Sequence, residues 1–243
     1  MLDILECMTD YGSLEKRLVK ATGLERRPVA VAFLKTPPVG VNKFEGTMPS
    51  GCSFWRLAAG RTPFYTVPGD HYNCPIGSYT HGIDLPAERA PELEQTLSLM
   101  GTLGYVKMEE VPGIPRLPET PGAVVYALLG DTPVEPDVVI FAGRPGCLML
   151  LSEAALRAGV AATSPLLARP TCMSLPAAMA QGMVVSAGCI GNRVYTDLGE
   201  DELYAVIPAR DLARIAEEAD VIALANQQLA EYHRGKRATL ATA

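Results

Sequence analysis

The spacing of apolar and polar positions divides the chain into short strands and helices. Val29-Ala-Val-Ala-Phe-Leu34 is an unbroken apolar run between Pro28 and Pro37-Pro38, as expected of a strand covered on both faces. Ala123-Val-Val-Tyr-Ala-Leu-Leu129 and Asp137-Val-Val-Ile-Phe141 repeat the pattern, and shorter runs cover Pro63 to Val67, Val194 to Asp197 and Leu203 to Ile207. Helical spacing begins between a capping Ser13 and a terminating Gly23, with Leu14, Leu18 and Val19 on one side. A short helix suits Ser53 to Gly60. Pro91 opens another, with Leu93, Leu97 and Met100 spaced for one buried face. The turn Gly143-Arg-Pro-Gly146-Cys147 leads into a helix over Ser152 to Gly159, and Leu212, Ile215, Ala219, Ile222 and Leu229 mark a long final helix after Pro208. Val39 to Ser50, Pro68-Gly69-Asp70 and Asn73-Cys74-Pro-Ile-Gly77 read as loops and turns.

Strands alternating with helices predict an α/β fold. Pro112, Pro115, Pro118 and Pro121 mark 111–122 as a crossing between a first half, 13–110, and a second, 123–235, with a frayed tail at 236–243. The expected architecture for 1–243 is a single globular unit made of two similar, intimately packed α/β halves with mixed sheets and an internal duplication.

Composition narrows the classes. With 243 residues, 48% hydrophobic and 20% charged, the chain can bury a substantial core. A net charge of -6 and a pI near 5.2 offer nucleic acid or an anionic membrane no general attraction. Met1-Leu-Asp-Ile-Leu-Glu-Cys7 does not read as a secretion signal, and no apolar run is long enough to span a bilayer, so a cytoplasmic protein is expected. Thiols stay reduced there, so the six cysteines are better explained as buried thiols, ligands or reactive groups than as disulfides. A symmetric homodimer is common for α/β proteins of this kind.

Four of these cysteines fall into an echo. Cys52-Ser-Phe-Trp-Arg is followed by Asn73-Cys74-Pro-Ile-Gly77, and Cys172-Met-Ser by Gly188-Cys189-Ile-Gly191-Asn. Thiolates at Cys52, Cys74, Cys172 and Cys189 match the ligand count of a cysteine-ligated iron–sulfur cluster or a tetrahedral zinc. Their separation requires the fold to gather distant loops. Small residues, Gly77 and Gly191 among them, would let backbone N–H groups approach a cofactor's sulfur. Arg56 could lower a thiol pKa or bind a substrate anion, and His81 could serve as acid or base. Three readings remain open here: a metal or cluster site, buried structural thiols in a metal-free binding or regulatory protein, and nucleophilic catalysis by Cys74. The first implies redox chemistry or the transformation of a small anionic substrate, with a small molecule or an electron-transfer protein as partner.

Other residues have simpler explanations. His71 suits a solvated turn, and His233 complements the dipole at the end of the last helix. Cys7 and Cys147 stand outside the echo. Gly-x-Ser-x-Gly, His-Glu-x-x-His and EF-hand patterns are absent, which removes most support for hydrolase, zinc-protease and calcium readings.

Val29-Ala-Val-Ala-Phe, Gly51-Cys52 with Trp55-Arg56, Asn73-Cys74-Pro-Ile-Gly77 and Gly188-Cys189-Ile-Gly191-Asn together resemble the uncharacterised ArCR-type family of prokaryotic domains of unknown function. The resemblance spans most of 13–233. It implies a soluble prokaryotic protein and supplies no catalytic residue.

Overall fold

The computed structural model describes residues 9–160 and 170–241. Cys7 lies outside the described residues.

Seven strands form one mixed sheet: β1 (Val29–Leu34), β2 (Asn42–Lys43), β3 (Phe64–Thr66), β4 (Ala123–Leu128), β5 (Val138–Gly143), β6 (Val184–Ser186) and β7 (Leu203–Pro208). Their order is β2-β3-β4-β1-β5-β7-β6. Among the described residues, only the β2–β3 pair is parallel. The apolar runs of β1, β4 and β5 occupy the middle, where both faces are covered. β1 and β5 meet at the centre with Ala30 opposite Val139. Outward from this pair the sheet adds a long strand and then a short one on each side, β4 and β3 on one and β7 and β6 on the other.

Alternate residues of these strands feed opposite layers. On one face Ala30, Val139, Phe141 and Ile207 pack against α1 (Tyr11–Thr22), α5 (Pro145–Arg157) and α8 (Leu212–Ala241), through Leu18, Leu151, Leu212 and Ile215. On the other, Val29, Val31, Tyr126, Ile140 and Val206 meet Phe54 and Trp55 of α2 (Ser53–Ala58) and Leu175 and Ala178 of α6 (Ser174–Gln181). This second face also carries α3 (Pro75–Thr80) and α7 (Ile190–Tyr195). α4 (Pro91–Thr102) lies outside them, against α3.

Several sequence expectations shift. Asp10, not Ser13, caps α1: its carboxylate accepts from the Ser13 backbone N–H at 2.9 Å and from the Ser13 hydroxyl at 2.6 Å. The Asn73-to-Gly77 loop is partly helical, because Pro75 suits the first helical position and the Cys74 sulfur caps the turn. Val194 ends a helix rather than opening a strand, since Cys189 caps α7 and Arg193 ties it to the carbonyls of Ala187 and Gly199. Pro145, Gly146 and Cys147 form the first turn of α5 instead of a separate turn. No residue of α4 is fully buried, so Leu97 and Met100 do not enter the core as their spacing suggested. α8 extends to Ala241 through the supposed tail, and Leu229 is exposed on its far half.

Candidate functional site

Each cysteine of the echo stands at the start of a short helical segment. Cys52, Cys74 and Cys189 are the N-cap residues of α2, α3 and α7, and Cys172 lies in the 3-10 turn Thr171–Met173 that leads into α6. Backbone N–H groups at such ends have no intrahelical partner, and at Cys74 and Cys189 one of them turns toward the sulfur. Gly77 N–H donates to Cys74 Sγ at 3.3 Å, and Asn192 N–H donates to Cys189 Sγ at 3.4 Å. The sheet face brings all four cysteines to the wall of one cavity of about 670 Å³.

The sulfurs are near enough to influence one another, and polar groups surround them. Burial pushes the Cys52 thiol up to about 11, with the Cys74 and Cys189 sulfurs adding to the rise. Burial likewise raises Cys74, against backbone N–H groups of Gly51 and Gly77 that favour its thiolate. Cys172 is raised well above the ordinary thiol value, first by burial and then by the other three sulfurs. Without a counter-charge these three thiols therefore stay protonated near neutrality and are weak nucleophiles.

The polar surroundings cross between the halves. Ser50 Oγ lies 3.2 Å from Cys52 Sγ. The Asn192 side chain, from the second half, approaches the same sulfur without reaching hydrogen-bond geometry. In return Thr80, from the first half, faces Cys172 while donating to the Gly77 carbonyl at 3.0 Å. Buried polar atoms without a hydrogen-bond partner include both amide atoms of Asn192, Ser174 Oγ, Tyr126 Oη and Trp55 Nε1. Of these, Asn192 lines the cysteine cavity; buried polar groups are ordinarily paired, so its orphaned amide requires an explanation.

Gly77 is dictated by this geometry: a Cβ there would stand 2.9 Å from Cys74 Sγ. Gly191 lines the cavity, and a Cβ on it would meet nothing closer than Tyr195 at 4.0 Å. Arg56 points elsewhere; its Nε pairs with Asp197 Oδ2 at 2.6 Å, and it lines separate surface pockets. His81 is fully buried behind the site, edge-on to Phe33 and to His71, with neither ring nitrogen bonded. Its Cε1 would lie 3.9 Å from a Cβ on Gly51. His71 is buried as well, not solvated, and its Nε2 bonds Thr66 Oγ1 at 2.8 Å. Cys147 lies apart, with its thiol donating to the Gly23 carbonyl at 3.4 Å.

Reasoning from motifs passed over Asn192, Thr80 and Ser50. Asn192 had a legible signal, because it follows Cys189 at the same interval as Gly77 follows Cys74. Thr80 had none, since only the fold brings it to Cys172.

Among the described residues, no group of three or more His, Cys, Asp or Glu side chains is placed to hold one metal ion. A four-thiolate zinc needs Zn–S distances of about 2.3 Å, so its sulfurs nearly touch. A cluster inserts iron and sulfide between its ligands and so spans a wider ring than a single ion. Among the described residues, no helix is long and apolar enough to cross a membrane.

Comparison with known proteins matches residues 17–218 to the family model described as uncharacterised ArCR. An uncharacterized protein of Methanocaldococcus jannaschii is 29% identical over 214 residues, covering 83% of this chain and 90% of the archaeal protein. No solved structure gives a significant match.

Proposed function

The chain belongs to the uncharacterised ArCR family, and from that starting point we propose that it is a cysteine-ligated metalloprotein. In this reading Cys52, Cys74, Cys172 and Cys189 hold an iron–sulfur cluster that serves redox chemistry on a small molecule, within a reducing cytoplasm. The observation that carries it is the convergence of these cysteines, each at a helical start, on one cavity. The cluster would supply one-electron exchange or Lewis acidity. The protein's part is to aim N–H groups at the Cys74 and Cys189 sulfurs and to shape the space beside the ligands.

We extend the proposal to the architecture: β1, β3 and β4 form one copy of a unit and β5, β6 and β7 another, joined about the β1–β5 pair, which moves the boundary from 111–122 to between β4 and β5. β3 pairs with β4 through Phe64–Tyr126 and Thr66–Val124, and β6 pairs with β7 through Val184–Val206 and Ser186–Tyr204. Cys52 precedes Phe64 at the same interval as Cys172 precedes Val184. Each copy thus supplies two cysteines at like positions.

The test is anaerobic purification and reconstitution with iron and sulfide, followed by metal and sulfide analysis. A brown chromophore is expected, lost on Cys→Ser change at any of the four positions and kept in Cys147→Ser. The metal-free alternative, in which the protonated thiols merely pack, draws on their raised pKa values. It predicts a colourless, well-folded protein indifferent to chelation and reconstitution, and that outcome would overturn the cluster.

A further inference from the structure

α4 presents an apolar face that the protein does not bury. Leu97 and Met100 are half-buried and line the cysteine cavity, where Val106 and Ile114 from the following segment join them. An amphipathic helix is normally held by burying such a face. Here the face roofs a chamber instead. The cavity, about 670 Å³, lies within the size range of small-molecule sites, and apolar side chains from both halves, Ile190 included, make up most of its wall.

The wall's polar side chains are for the most part already bonded: Ser50, Asn73, Thr96, Glu110 and Thr171 each have a partner. Asn192 is 1% exposed and lines the cavity, and neither its amide nitrogen nor its oxygen has a hydrogen-bond partner. Leaving such a group unmatched is costly, so a ligand that pairs with it gains accordingly. Whichever way the amide is turned, it presents an uncharged NH2 donor group and a carbonyl acceptor, which a hydroxyl or carbonyl can match.

We propose that this chamber binds a largely apolar, ring-sized organic molecule with a single uncharged hydrogen-bonding group, which meets Asn192 beside the cysteines while the ring lies under α4. The proposal deepens the cluster reading by naming the class of substrate that would approach it.

Anaerobic full-length protein is titrated calorimetrically with 4-methylphenol, toluene and inorganic phosphate. 4-Methylphenol is expected to bind about tenfold more tightly than toluene, and Asn192→Leu to erase that margin. Met100→Asp, on the poorly buried roof, is expected to weaken both organic probes by about tenfold without changing the melting temperature. Preferential binding of phosphate, failure of both organic probes to bind, or 4-methylphenol affinity unchanged in both variants would overturn the proposal. Iron and sulfide assays on the same samples separate the two readings. A colourless protein with the expected ranking keeps the chamber and loses the cluster, and a brown protein indifferent to 4-methylphenol does the reverse.

Discussion

At Gly77 a single hydrogen separates a working contact from a clash. A Cβ at this position would press on Cys74 Sγ and displace the N–H that donates to it. Gly77→Ala is therefore expected to cost about 1–3 kcal/mol in urea denaturation and to lower iron retention. Gly191→Ala is the control: its Cβ would meet only Tyr195 at 4.0 Å, and both measurements should stay near wild type. The cysteines set a second expectation. Cys52, Cys74 and Cys172 are held protonated by burial, so metal loading must expel their protons. Affinity for a thiophilic probe such as cadmium should rise with pH between 6 and 8, by up to ~10-fold per unit for each proton released, as measured by competition with a chelator.

At the scale of elements, local pattern and tertiary context divide the prediction between them. β1 was legible to the residue because a two-faced apolar run bounded by prolines has few alternatives. β4, β5 and β7 were legible for the same reason. α7 was not: Val194-Tyr-Thr looks β-prone, and a sulfur cap at Cys189 with the Arg193 bonds decides for helix. α4 was legible as a helix, but its spacing shows only that one face is apolar, not whether protein or a ligand covers it. For the site, the cysteine echo could be read directly, whereas the facing of Thr80 on Cys172 depends on packing between distant segments. α8 yields a test of burial. Ile215 is fully buried, whereas Leu224, Leu229 and Tyr232 are exposed. Ile215→Ala should cost about 2–5 kcal/mol, and removal of residues 228–243 less than about 1 kcal/mol, by thermal denaturation.

Across the whole molecule, one sheet runs through the fold, and its second face stores two neutral histidines. Burial lowers His71 to about 3, with His81 adding to the fall, and lowers His81 to about 4, against an ordinary value of 6.5. The unfolded chain takes up these protons near pH 6.5 while the folded chain refuses them. Stability is thus complete above that pH and declines as pH falls toward the folded values, by ~1.4 kcal/mol per unit per histidine. Urea midpoints at pH 7 and 4.5 should differ accordingly, and His81→Phe should shallow the difference.

The central β1–β5 pairing also bears on how such a protein is made. Cys52 and Cys74 leave the ribosome long before Cys172 and Cys189, and the two pairs meet only once β5, β6 and β7 have joined the sheet. Until then the early thiols have no partners and face the oxidants of the cell as free side chains. On the cluster reading, assembly of the site waits for the second pair of cysteines, and a nascent chain arrested before Cys172 should take up no cofactor.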